Sequence, residues 1–239
     1  MKPPELEGPF NPLDSRQRNE RLHRFAHALK NRMGGVWQAA SLLHAMPQGP
    51  ERDMLLAMAE KNYFNAAREL EQLLDDFQVP RGVGTLRRER TSLSPLLDRC
   101  IGQVAFRTVK KEQRVDFTAA GNPEVEGDSQ LLEQLFGALL SNASKFSPKG
   151  TAINVHLGVE DGQAVVAVTD RGAGLTEADL QEVFIRFALL STRSTDGESQ
   201  ARSTLGRAKQ WAEAHGGSLE VRSDGPGQGS VFTVRLPLA

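Results

Sequence analysis

The chain has 239 residues, 39% of them hydrophobic and 25% charged, with a formal net charge of −1. That is ordinary for a folded protein of one large or two modest domains, and it lacks the basic surplus of a nucleic-acid-binding field. A single cysteine, Cys100, excludes an internal disulfide framework and a cysteine-rich zinc site and reads as a small buried residue. No apolar run approaches the ~20 residues that span a bilayer. The opening Met1-Lys2-Pro3-Pro4-Glu5 lacks the apolar core of a signal peptide. The expectation is a cytoplasmic protein, or the cytoplasmic fragment of a longer one, with no membrane segment and no nucleic-acid partner.

Residues 1–13 are rich in Pro and Gly and read as a flexible arm. From about Asp14 the pattern turns helical. Leu22, Phe25, Ala26, Leu29, Met33, Val36, Trp37, Ala40 and Leu43 recur at three- and four-residue steps. Gly34-Gly35 is a candidate bend, and Pro47-Gln48-Gly49-Pro50 is the stop. A second helix is predicted over 51–77, with Leu55, Met58, Phe64, Ala67, Leu70, Leu74 and Phe77 on one side. Two long amphipathic helices and a short turn make an antiparallel hairpin over 14–78. Alone it cannot bury both stripes, so a homodimer built as a four-helix bundle is expected.

Residues 79–90 read as a linker, and 91–239 as a mixed domain. Helices are predicted over 94–111, 128–146 and 205–215, the second with Leu131, Leu132, Leu135, Phe136, Leu139 and Leu140 as its apolar face. Strands are predicted over 115–118, 152–159, 163–169, 218–223 and 230–236, with Glu160-Asp161-Gly162 and Asp224-Gly225-Pro226-Gly227 as turns. Helices covering one face of a mostly antiparallel sheet define an α+β fold. No internal repeat is present.

Several segments carry chemistry. Asn142-Ala143-Ser144-Lys145-Phe146-Ser147 places an amide and an ammonium at a helix end. Asp170-Arg171-Gly172-Ala173-Gly174 places a carboxylate at a strand end before a glycine turn. Phe184-Ile185-Arg186-Phe187 precedes a stretch, 189–202, rich in Ser, Thr and Arg. Glu213-Ala214-His215-Gly216-Gly217 closes a helix before the last hairpin. Taken in order, these resemble the N box, G1 box, F box and ATP lid, and closing segment of the sensor histidine kinase family, with its Bergerat or GHKL-type ATP-binding domain. The resemblance covers about 93–239. It implies an α/β sandwich, with Asn142 as ligand to the Mg2+ of ATP, Lys145 at the phosphates or ribose, and Asp170 accepting a hydrogen bond from the adenine amino group. Gly172 and Gly174 let the base approach the backbone. Phe187 belongs to the implied pocket. The plain alternatives are a polar helix cap at 142–147 and an ordinary Asp-x-Gly turn at 170–172.

Two departures bear on ATP. The glycine-rich phosphate loop falls near Gln200-Ala201-Arg202-Ser203-Thr204-Leu205, which has no glycine. Backbone amides at such a loop cradle phosphate; here Arg202 and Thr204 are the substitute donors. The earlier N-box asparagine is Ala138. ATP and Mg2+ are therefore expected to bind weakly or not at all.

In the hairpin, Phe25-Ala26-His27-Ala28-Leu29-Lys30-Asn31 resembles the H box. The resemblance makes His27 the phosphoacceptor, with His23 as fallback. The acid that follows the histidine in the family, a general base, is Ala28 here. Asn31, on the same helix face, matches the residue that orients water against a receiver's aspartyl-phosphate. His44, His156 and His215 read as structural. The implied function is phosphoryl transfer through His27 to a response regulator's receiver domain, with weak ATP use. Two alternatives stay open. One is an ATP-independent phosphotransferase or response-regulator phosphatase. The other is a non-enzymatic dimeric adaptor of a regulator or of another histidine kinase.

Overall fold

The computed structural model describes residues 15–43, 46–76, 85–185, 190 and 204–239. The chain divides into two units, Met1–Pro80 and Arg81–Ala239.

The first unit is an antiparallel pair of helices, α1 (Ser15–Leu43) and α2 (Pro50–Asp76). Gly34 and Gly35 do not interrupt α1: the intrahelical ladder outweighs the roughly 1 kcal/mol that each glycine costs a helix interior. Pro50 opens α2, where a fixed φ helps and a missing N–H costs nothing. Arg52 closes the turn by donating from Nη1 to the carbonyls of Leu43 and Met46, both at 2.8 Å. These are carbonyls that a helix end and its exit leave without intrahelical partners. The seam between the helices buries Ala39, Phe64, Ala66 and Leu73 and carries the fork of Arg32 on Glu69, with Nε to Oε2 at 3.1 Å. The predicted stripe is wider than this seam. Leu22, Met33, Met58 and Leu70 stay exposed, and Trp37 is 76% exposed.

The second unit follows the order β1 (Glu89–Ser92), α3 (Leu93–Lys110), β2 (Arg114–Ala119), β3 (Glu124–Gly127), α4 (Ser129–Phe146), β4 (Ala152–Glu160), β5 (Gln163–Asp170), α5 (Glu177–Glu182), α6 (Thr204–Ala214), β6 (Ser218–Arg222) and β7 (Ser230–Pro237). Strands β2-β4-β5-β7-β6 form one sheet, and β1-β3 a separate antiparallel pair. The large sheet is antiparallel except for β2 beside β4. That parallel pair is joined by the long crossover through β3 and α4, as parallel neighbours require. The linker expected to reach residue 90 ends earlier, because Glu89 and Arg90 already pair with Gly127 and Glu126.

Alternation drives the burial. Ile153, Val155 and Leu157 of β4 point inward while Asn154 and His156 point out, and β7 buries Phe232, Val234 and Leu236. Against them lie Leu132, Leu135, Phe136, Leu139 and Leu140 of α4, with Leu93, Leu96, Leu97 and Cys100 of α3 and Ala208 and Ala212 of α6. Complete burial of each large side chain stabilises the fold by about 1.5–3 kcal/mol. The turn between β4 and β5 has Asp161 at φ 49° and Gly162 at φ 73°, the tight geometry that matches strand twist. No helix among the described residues is long and apolar enough to cross a membrane.

Candidate nucleotide and phosphoacceptor sites

The second unit brings the end of α4 and the turn after β5 together. Asp128 caps the start of α4 by accepting the N–H of Leu131 at 3.2 Å. The helix then runs to Phe146 and carries Asn142 and Lys145, both half-buried, on its last turns. A buried polar cluster holds that end. Lys111, 3% exposed, donates from Nζ to the carbonyl of Ser144 at 2.7 Å and to that of Lys145 at 3.3 Å. Gln113 donates from Nε2 to the carbonyls of Ser144, Ser147 and Pro148 at 3.1, 3.0 and 3.2 Å, and accepts from Ser144 Oγ at 2.7 Å. A cation on the last carbonyls of a helix also meets the negative end of its dipole. The sequence alone singles out neither residue, because both act on carbonyls more than thirty positions away.

Asp170 ends β5, 5% exposed. Its Oδ1 accepts the N–H of Gly172 at 2.8 Å, and the N–H of Ser230 also donates to the carboxylate. Burial outweighs these two donors and pushes the carboxyl up to about 6. The glycines of the turn answer to close approach. A Cβ on Gly172 would lie 2.7 Å from the carbonyl oxygen of Phe146 at the end of α4. Gly174 has φ +65°, and a Cβ there would lie 2.0 Å from the carbonyl oxygen of Gly225. The turn is laced on one side to α4 by Ala173 N–H donating to Phe146 O at 3.2 Å. On the other side Gly227 N–H donates to Ala173 O at 2.6 Å, and Gly229 N–H to Gly172 O at 3.2 Å.

Asp170 is a buried carboxylate of the kind that can accept from an adenine amino group, while Gly172 and Gly174 allow the close approach of protein backbone from Phe146 and Gly225. The magnesium end is thinner, with the Asn142 amide and no second amide at Ala138, which is buried. Thr204 is the first residue of α6 and half-buried. Phe184 of the F box stands edge-on to Phe232 at 6.5 Å and lies under Lys209 Nζ at 5.2 Å. Phe187 and Arg202, with most of the lid segment, lie outside the described residues. His215 is structural: Nε2 accepts the N–H of Asp128 at 2.9 Å, and Nδ1 bonds the carbonyl of Trp211 at 2.6 Å.

In the first unit, His27 and Asn31 are exposed on α1, and Asn31 Nδ2 lies 3.3 Å from His27 Nδ1. Ala28 lines a groove of about 190 Å³ with Arg21, Arg24, Phe25, Glu69 and Leu73. The groove's carboxylate, Glu69, is held by Arg32.

Residues 127–239 match the family of histidine kinase-, DNA gyrase B- and HSP90-like ATPases. The sensor-like histidine kinase SenX3 of Mycobacterium tuberculosis is 31% identical over 222 residues, covering 89% of this chain and 52% of SenX3. The sensor protein KdpD of Clostridium acetobutylicum is 26% identical over 232 residues, 93% of this chain and 25% of KdpD. Among solved structures, the mycobacterial sensor histidine kinase MprB is similar at a TM-score of 0.57 and 28% identity, over 63% of this chain and 98% of that one. The chain thus spans about a quarter of KdpD and half of SenX3. With the α/β sandwich, the helical hairpin and these relatives in agreement, the chain belongs to the sensor histidine kinase family and carries a GHKL-type ATPase domain over residues 127–239.

Proposed function

We propose that this chain, as a homodimer, moves phosphoryl groups between His27 and the aspartate of a response-regulator receiver domain, with weak use of ATP. The observation that carries the reading is the pairing of His27 with Asn31 one turn on, across a position, Ala28, that has no proton acceptor. An exposed imidazole is a competent nucleophile toward phosphorus. Asn31 steadies the ring at Nδ1 and can present its amide to a water at the same place. Ala28 cannot take the proton that a general base removes, and such a base is typically worth 10²–10⁴-fold.

When bound, ATP supplies the phosphoryl group and Mg2+ offsets its charge. Asp170 and the Gly172–Gly174 turn bind the base, while Asn142 offers an oxygen to the cation and Lys145 and Thr204 offer donors to the phosphates. Ala138 and a phosphate segment without glycine argue for weak affinity. Phe187 and Arg202 remain part of this proposed pocket.

The same asymmetry favours a second reading, in which the chain works without ATP as a phosphotransferase or receiver phosphatase. Labelled ATP and, separately, a phosphorylated receiver domain are the two donors to compare. Slow labelling of His27 from ATP is expected, together with transfer from the receiver that His27→Ala abolishes. Asn31→Ala is expected to impair hydrolysis alone. Fast autophosphorylation with inertness toward phosphorylated receivers would overturn the proposal.

A further inference from the structure

His23 and His27 are four residues apart on α1, share one face one turn apart, and are both exposed. Side chains four residues apart on a helix face are neighbours, a spacing at which two imidazoles can reach one ion. Zinc binds imidazole nitrogen at about 2.0–2.1 Å, and the same i, i+4 spacing lets paired helical histidines grip one ion. From these positions we infer that His23 and His27 form a two-imidazole site for a divalent transition-metal cation such as Zn2+ or Ni2+, and that a cation there blocks the phosphoryl chemistry of His27. The blocking half rests on the proposed role of His27, and the binding half does not.

The surroundings bear on both the binding atom and the class of ion. His27 Nδ1 is engaged by Asn31, which leaves Nε2 as the outward donor. With an ion on Nε2, Nδ1 carries its hydrogen, and a half-turn of the Asn31 amide presents Oδ1 to it. An outer partner of this kind orients a ligating histidine. Arg24 and Lys30 stand on the same helix beside the pair. Glu20 lies one turn before His23 and lines a groove with it and Arg24, so the neighbouring charges largely offset one another and the choice of ion rests on the donors: imidazole nitrogen favours zinc, nickel and copper over Mg2+ and Ca2+. Among the described residues no cluster of three or more His, Cys, Asp or Glu is placed to hold a metal. The ion therefore keeps water in its other positions and exchanges readily. One lone pair on Nε2 cannot bind a cation and attack phosphorus at once.

The test is titration of the full chain with ZnCl2, followed by imidazole nitrogen resonances, with no nucleotide or receiver present. Saturable shifts at His23 and His27, one ion per chain, are expected. His23→Ala and His27→Ala should each reduce binding to that of one exposed histidine, Asn31→Ala should weaken it about tenfold, and His156→Ala should leave it unchanged. Equal affinity in His23→Ala, or shifts at the other histidines alone, would overturn the site. In a second arm, zinc should inhibit transfer from a phosphorylated receiver to the unaltered chain at concentrations that spare His23→Ala. Equal sensitivity overturns the blocking half. Absence of any transfer overturns it together with the proposed role of His27, while the titration still decides the site.

Discussion

The Nε2 of His215 accepts the backbone N–H of Asp128 at 2.9 Å, joining the end of α6 to the start of α4 across 87 positions of sequence. The other ring nitrogen meets the carbonyl of Trp211 at 2.6 Å, so Nδ1 carries the hydrogen and the ring is neutral in this arrangement. Asp128 in turn caps α4. One buried imidazole thus ties two helices of the nucleotide unit together.

His215→Ala should therefore destabilise the second unit by about 1–3 kcal/mol, the cost of leaving a buried donor and acceptor unmade, together with a cavity. His215→Gln, able to bond at one end, should recover part of it. Urea unfolding followed by the emission of Trp211, which lies one turn away, measures both. Unchanged midpoints would show that neither the hydrogen bonds of the ring nor its packing stabilises the unit.

Asp170 sets a conflict between stability and the proposed adenine binding. Its carboxyl is raised from 3.8 to about 6, chiefly by burial, with the N–H groups of Gly172 and Ser230 opposing. A raised folded pKa favours the folded state below the unfolded value and loses that contribution as pH rises through about 6. The loss is on the order of 3 kcal/mol. Melting temperature should fall between pH 4 and pH 7 by an increment that Asp170→Asn lacks. The same substitution should abolish the proposed adenine binding, since the Oδ1 of an Asn would accept from Gly172 and Ser230 and leave its NH2, a donor, facing the amino group of the base. Parallel pH profiles for the two proteins would refute the assignment.

The sequence carries much of this fold because its long elements are strongly periodic. Leu132, Leu135, Phe136 and Leu139 mark the buried face of α4, and Ile153, Val155 and Leu157 alternate along β4. The pair β1–β3 escapes such a reading: Glu89-Arg90-Thr91-Ser92 and Glu124-Val125-Glu126-Gly127 have one large apolar residue between them. Their strand character comes from pairing with each other. Helix α5 was legible in principle, since Thr176 and Asp179 form a reciprocal capping box, but its six residues are too few for a period. At the sites, motif residues could be named from order and spacing. Lys111 and Gln113 could not, because their roles depend on the fold bringing them to carbonyls more than thirty positions away.

The hairpin leaves more apolar surface than one pair of helices can cover. Met33, Trp37, Leu42, Met54, Met58, Tyr63 and Leu70 are all exposed, and a second hairpin would bury them in a four-helix bundle. Light scattering at tens of micromolar should give twice the mass of 26.2 kDa. Trp37→Glu should shift the chain toward monomer, because it places charge in the covered surface. A monomeric unaltered chain would contradict the dimer and any phosphoryl transfer that depends on it.

The final prediction concerns how the end of α4 is held. The last carbonyls of a helix have no intrahelical donors, and here a buried ammonium and a buried amide supply them. Lys111→Met keeps the apolar stem but removes the donors to Ser144 and Lys145. It should cost about 1–3 kcal/mol and loosen the turn that carries Asn142 and Lys145. Because Ala173 N–H donates to Phe146 O, the loosening should reach the glycine turn beside Asp170. Hydrogen exchange at Ser147, bonded to Ala143, and at Ala173 should accelerate in Lys111→Met by more than at the central strand β5. Lys111→Arg should retain more protection. If exchange at both amides rises only as much as in β5, Lys111 contributes to global stability alone and does not position the end of the helix that carries Asn142 and Lys145.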